Sequence, residues 1–395
     1  MKNLLIILSL VISASPAFAT RARLYSLGEN GYTGSYYVND NRDIFLDPAA
    51  INQYKKKLWL ETGTASTAVD SVGAPKTEGG FTNTFGDFVY GVYVGRTSNR
   101  MLNAVATVNG AGGNVLAPDH AFDFFFGGEA SSVKYGIDVV YAGAQNRAGA
   151  ANVTPTSQTA SLFAVKLGAD INAFKVFTSI GITSDSKTDA NNPATLQELK
   201  GNLSLDVGAT YAMDDMTYLA KFSTFSSDYT VGTTLPTINT GKTMAFAIGS
   251  GWKHEASKSV TMYSRIQFDY QKDTTDTTVG AAPVVNTVNN VWYNVPVVLA
   301  AEAQATSWLT IRGAVSHSLL GQHVAGLTKD SINNMTTVAA GLGFNFGDLT
   351  IDALFGQSAA LGQAGSESSQ GSSQSTDKFG FGNGFASNVA MTYNF

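Results

Sequence analysis

Residues 260–270 read Val-Thr-Met-Tyr-Ser-Arg-Ile-Gln-Phe-Asp-Tyr. Val260, Met262, Ser264, Ile266, Phe268 and Tyr270 fall on one parity; Thr261, Tyr263, Arg265, Gln267 and Asp269 fall on the other. Successive side chains of a β-strand point to opposite faces, so this stretch has one apolar and one polar face. The same pattern recurs at 202–211, where Leu203, Leu205, Val207, Ala209 and Tyr211 alternate with Asn202, Ser204, Asp206, Gly208 and Thr210. It recurs again at 309–316, with Leu309, Ile311, Gly313 and Val315 on one side. The chain is read as all-β.

Working outward, the alternation predicts fourteen strands: 57–65, 84–95, 131–144, 158–171, 173–184, 200–212, 215–227, 241–254, 257–272, 289–305, 308–319, 335–346, 348–357 and 385–395. Tight turns are expected after Ile171 and at Met213-Asp214, Glu255-Ala256, Thr306 and Gly347-Asp348. The other connections are long and polar: 66–83, 145–157, 185–199, 228–240, 273–288, 320–334 and 358–384, the last holding SESSQGSSQST at 366–376. Short turns at one end and long loops at the other match an antiparallel up-and-down barrel of the outer-membrane type. An even strand number returns the last strand to the short-turn side, where the first begins. The stretch 96–130 leaves an alternative of sixteen, because Met101–Val108 and the Phe-rich 122–126 would supply one more hairpin.

Composition agrees with a barrel in lipid. Only 14% of the 395 residues are charged, against about 25% in an ordinary soluble domain. Yet 44% are hydrophobic and mean hydropathy is +0.01, without an apolar run long enough for a helical span after residue 19. In a soluble sandwich the polar face meets water. Here that face is small and neutral, and aromatics gather near strand ends: Trp252, Trp292, Tyr293, Trp308, Tyr211, Tyr141 and Tyr393. The net charge of −5 excludes a nucleic-acid partner. Cysteine is absent, which removes disulfides and thiol chemistry.

Residues 1–19, MKNLLIILSLVISASPAFA, have a basic start, an apolar stretch and an Ala17-Phe18-Ala19 cleavage site. They predict a cleaved signal peptide, a mature chain from Thr20 and export to the outer membrane of a Gram-negative cell. Residues 20–56 then form an N-terminal plug or periplasmic segment, and 57–395 the barrel.

A Lys or Arg on the lipid face at the midplane costs roughly 2–4 kcal/mol, so the charged parity of each strand points inward. This places Lys134, Asp138, Lys166, Asp206, Lys221, Arg265, Asp269, Glu302, Arg312 and Asp352 in the lumen as pore-lining candidates. Arg265 and Arg312 lie mid-strand and are the candidates for a constriction.

At the C-terminus Val389, Met391, Tyr393 and Phe395 alternate with Ala390, Thr392 and Asn394. This resembles the terminal signal that the barrel-assembly machinery reads in outer-membrane proteins. The stretch Asp43-Ile44-Phe45-Leu46-Asp47-Pro48-Ala49-Ala50-Ile51 is similar to an N-terminal motif of the long-chain fatty-acid transporter family, where an Asn stands in place of Asp47 and the motif lies in a plug. Asp47 as N-cap with Pro48 following also starts a short helix in its own right. The whole chain resembles porin-like major outer-membrane proteins of predatory bacteria, which implies a passive diffusion pore.

The histidines His120, His254, His317 and His323 lack metal-ligand spacing, and no motif marks a nucleophile, a metal or a cofactor. The sequence therefore predicts no enzyme. It predicts a porin for small hydrophilic solutes and ions, with a plugged barrel for hydrophobic compounds as the alternative. Its partners are the outer-membrane lipids, the assembly machinery and the solutes; oligomerisation stays open.

Overall fold

The computed structural model describes residues 20–31, 33–63, 76–96, 115–118, 121–148, 156–189, 196–232, 237–279, 286–325, 328–331, 336–357 and 388–395. The signal stretch 1–19 and the serine-rich loop 366–376 lie outside them, as does 101–108.

The strands are β1 (Lys57–Gly63), β2 (Lys76–Phe85), β3 (Phe88–Arg96), β4 (Ala121–Ala130), β5 (Val133–Ala148), β6 (Thr156–Ile171), β7 (Phe174–Asp189), β8 (Gln197–Gly201), β9 (Ser204–Met213) and β10 (Met216–Val231). There follow β11 (Thr237–Ser257), β12 (Val260–Val279), β13 (Asn286–Gln304), β14 (Leu309–Ala325), β15 (Thr328–Ser331), β16 (Thr336–Phe346), β17 (Leu349–Gln357) and β18 (Asn388–Asn394). All ladders are antiparallel between chain neighbours, and β1 pairs with both β2 and β18, from Lys57↔Asn394 to Gly63↔Asn388. The sheet therefore closes on itself. Both β8 and β9 pair with β7 and β10, and both β15 and β16 pair with β14. Each of these couples is one interrupted strand, so the described residues make a ring of sixteen.

Sixteen corrects the expected fourteen in favour of the alternative, but by a different hairpin from the one foreseen. Residues 122–126 do belong to a strand, β4, which pairs with β3 and β5. The other addition is β2, most of which lies in the stretch 66–83 that reads as loop. Its sequence KTEGGFTNTF is polar and carries Gly79-Gly80, so its alternation is faint. Ladder pairing with β1 and β3 makes it a strand regardless.

Several strands also outrun their expected ends. β12 reaches Val279, β13 starts at Asn286 and β14 reaches Ala325, where polar loops are expected. Thr, Asn and Asp dominate the β12 and β13 extensions, because the paired strands continue past the apolar belt into water; the β14 extension is Leu-Gly-Gln-His-Val-Ala.

The two faces divide as the alternation requires. Leu58, Leu60, Phe122, Phe124, Ile248, Leu299 and Ile311 are exposed on the outside, while Trp59, Glu61, Asp123, Phe125, Val298 and Arg312 are buried. Exposed Phe85, Phe88, Phe174, Trp308, Phe346 and Phe395 all stand beside the short-turn end, forming an aromatic belt there. The turns themselves take left-handed residues at Gly86, Ser131, Asn172, Asp214 and Gly347, as tight hairpins demand.

Candidate functional site

The interior of the ring holds the segment before β1. Its helix α1 (Arg21–Ser26) is capped by Thr20, and two short 3-10 turns follow at Asn41–Phe45 and Pro48–Gln53. Asp40 and Asp43 form a reciprocal capping box on the first turn. Asp47 caps the second by accepting from the Ala49 amide at 3.0 Å, with Pro48 next to it. The local helix start expected from Asp47-Pro48 is present.

This segment touches the inner faces of many of the strands. Leu24, Leu27 and Val38 pack on Ala300 of β13 and Ala314 of β14. Ala22 and Tyr25 pack on Leu354 of β17. Ile44, Phe45, Ile51 and Tyr54 join Trp59, Val89, Tyr93 and Phe125 of β1, β3 and β4. Tyr36 stacks on Phe177 of β7 with ring centroids 5.2 Å apart, and the Tyr37 hydroxyl donates to Gln267 of β12 at 3.0 Å.

Asp47-Pro48-Ala49 rests on Gly136 and Gly168, which face each other across the β5–β6 ladder. A Cβ on Gly136 would come within 2.1 Å of the Pro48 carbonyl oxygen, and one on Gly168 within 1.9 Å of Asp47 Oδ1. Glycine is required there for close approach.

Buried ion pairs fasten the segment. Arg21 and Arg42 bridge Glu61 of β1 and Glu78 of β2, with Arg42 Nη1 donating to Glu61 at 3.1 Å and to Glu78 at 2.6 Å. Arg23 Nε donates to Glu302 at 2.8 Å, and its Nη1 lies 3.5 Å from Asp40. Arg265 Nε lies 2.7 Å from Glu29 and its Nη2 donates to the Gly28 carbonyl. Lys166 donates to the Phe45 carbonyl at 3.1 Å and pairs with Asp138 at 2.9 Å.

Electrostatics within the segment follow from this burial. Desolvation works against the Arg23 charge, yet Glu302 and Asp40 outweigh it and raise its pKa. Burial pushes Asp43 up to about 7 and Asp47 up to about 6, against the pull of Lys175 on both. Glu29 is also raised by burial, despite Arg265 beside it.

All ten charged positions expected in the lumen stand on the inward parity of their strands. Arg312 donates to Glu302 at 2.6 Å and to Asp352 at 2.6 Å, and it is fully buried. Asp269 accepts from Gln267 at 2.6 Å. Lys134, Asp206 and Lys221 share this inner face. Arg265 and Arg312, the expected constriction, are instead taken up by Glu29 and by Glu302 and Asp352. The sequence reading missed their partners in the N-terminal segment, Arg23 and Glu29, and also Arg42 with its partner Glu78 in the unrecognised β2. The signal available was three arginines and several acids among residues 20–47.

On the loop side of this segment the wall changes character. Ala121, Val140, Ala142, Leu162, Ala164, Leu199 and Tyr229, from β4, β5, β6, β8 and β10, form one buried apolar cluster. Val115 packs on it, and the neighbouring Leu116 carbonyl accepts from Ser186 Oγ at 2.6 Å.

Val389, Met391, Tyr393 and Phe395 fall on the outer parity of β18, the strand that closes the ring, while Ala390 and Thr392 point in.

A closed antiparallel ring with an apolar outer belt leaves no open sheet edge among the described residues, and it defines the class: an outer-membrane β-barrel. No family model and no curated protein matches the chain. Among solved structures it is similar to a Pseudomonas aeruginosa FadL homologue at 11% identity and TM-score 0.43, over 95% of this chain and 98% of that one. It is similar to the Pseudomonas putida toluene transporter TodX at 10% identity and TM-score 0.38, over 96% and 100%. It is also similar to the ferric yersiniabactin uptake receptor FyuA from Yersinia pestis at 10% identity and TM-score 0.41, over 77% of this chain and 54% of that longer one. The class stands on the ring and its belt, independently of these likenesses.

Proposed function

We propose that this chain moves hydrophobic or weakly polar small molecules across the outer membrane through a barrel plugged by residues 20–56. The apolar cluster on the inner wall carries the reading. Val140, Ala142, Leu162, Ala164 and Leu199 face inward, where a water-filled porin would present polar groups. These side chains are covered by Val115 and Ala117, so an apolar solute takes up the wall by displacing that cover, at about 25 cal/mol per Å² of its own surface removed from water. The N-terminal segment supports the same reading, since its side chains occupy the space that an open diffusion pore needs. The inward charges then dock the plug. They do not act as a selectivity array for ions.

The test is saturable binding of a lipophilic fluorophore to the protein in lipid nanodiscs. Leu162→Asp, which places a charge on the apolar wall, is expected to weaken binding about tenfold, the equivalent of 1.4 kcal/mol. Absence of saturable binding in the native protein would remove the reading and restore the hydrophilic porin.

A further inference from the structure

Residues 115–118, Val-Leu-Ala-Pro, lie against the apolar wall on the loop side. Val115 and Ala117 pack on that wall, and the Leu116 carbonyl between them accepts from Ser186 Oγ at 2.6 Å. None of the four has a charged or hydrogen-bonding side chain. The segment before β1, in contrast, is fastened to the ring by buried ion pairs of Arg21, Arg23, Glu29 and Arg42. Of these two fillings of the lumen, the cover at 115–118 is the one that a neutral, largely apolar molecule can replace contact for contact.

Ser186 puts a hydroxyl into this wall. It lies on β7, opposite Ala160 of β6 on one side and Leu199 of β8 on the other, and is 1% exposed. A buried hydroxyl that loses its acceptor is destabilising, because water is not there to replace it. Whatever displaces Leu116 must therefore bring an acceptor of its own, or leave Ser186 Oγ unpaired.

We propose that residues 115–118 are an internal stand-in for the cargo, and that the site they cover takes apolar molecules bearing one carbonyl-type acceptor, as in a ketone or ester, in preference to hydrocarbons of the same size. The cover presents an apolar side chain, a carbonyl oxygen and a second apolar side chain in that order, and a carbonyl-bearing cargo repeats the pattern. A bare hydrocarbon makes the same apolar contacts but strands the Ser186 hydroxyl. This inference rests on the transport reading above and adds the cargo's chemistry to it. Ser186 is the residue that sets the preference.

The experiment uses the full chain in lipid nanodiscs with a hydrocarbon fluorophore, read as saturable signal over empty nanodiscs. A symmetrical dialkyl ketone and the alkane of the same chain length are the competitors, compared at equal concentration in the lipid. In the native protein the ketone is expected to displace the fluorophore about fivefold more effectively, the effect of one net hydrogen bond. In Ser186→Ala, with heat-dependent gel mobility verifying the folded barrel, that preference is expected to vanish. The fluorophore itself is expected to bind the variant more tightly, since the cover has lost its hydrogen bond. Weaker fluorophore binding in the variant would overturn the proposal, because Ser186 would then only support the wall. A ketone preference that survives in Ser186→Ala would also overturn it. The native comparison needs no variant: saturable fluorophore binding with equal displacement by ketone and alkane removes this inference alone. No saturable binding in either protein removes the transport reading with it.

Discussion

Arg312 sits with its guanidinium between Glu302 and Asp352, in a site where none of the three is well solvated. Removing the cation alone leaves two carboxylates facing each other in low dielectric. Arg312→Met is therefore expected to destabilise the folded barrel by about 3–5 kcal/mol, read as a lowered thermal unfolding midpoint. Asp43 and Asp47 behave in the opposite sense to a paired acid. Burial raises Asp43 to about 7 and Asp47 to about 6, against an ordinary value of about 3.9, so their protonated forms favour the docked segment. That contribution is complete below about pH 4 and is lost as pH rises through 6 and 7. Hydrogen exchange at residues 40–50, corrected for intrinsic rates, is expected to be faster at pH 8 than at pH 5. Equal protection at the two values would contradict it.

Among the elements, the Asp47-Pro48-Ala49 turn depends on two facing glycines. Gly136→Val puts a branched side chain where the Pro48 carbonyl now lies, so the turn must lift off the β5–β6 wall. The expected result is a barrel that still folds but whose residues 40–54 become accessible to protease. The turn itself was legible in the sequence, because capping by Asp before Pro is a local preference. Its seat was not, because Gly136 and Gly168 lie far from it in the chain and meet it only through register. The strands were legible wherever an apolar parity repeats, as in β9, β12 and β14. β2 was not: Thr77, Gly79, Phe81 and Asn83 carry little alternation, and only the neighbouring ladders define it. The inward parity of the charges follows from the cost of a charge in lipid. Their partners Arg23 and Glu29 were not legible, since they come from a segment whose own fold is non-repetitive.

For the molecule as a whole, the composition that is unusual for a soluble protein becomes ordinary. Apolar side chains are dealt to the outer face at every second position, and the scarce charges are concentrated inside, where the segment before β1 binds them. The N-terminal segment packs on inward residues of the ring, and the loop-side wall beyond it is apolar; the proposed plug follows from these two observations. The most direct test of this account is planar-bilayer conductance of the intact protein beside a variant lacking residues 20–56. The account predicts no stable ohmic steps from the intact barrel and large, discrete steps from the truncated one. Large, steady steps from the intact protein, unchanged on removing the segment, would contradict it.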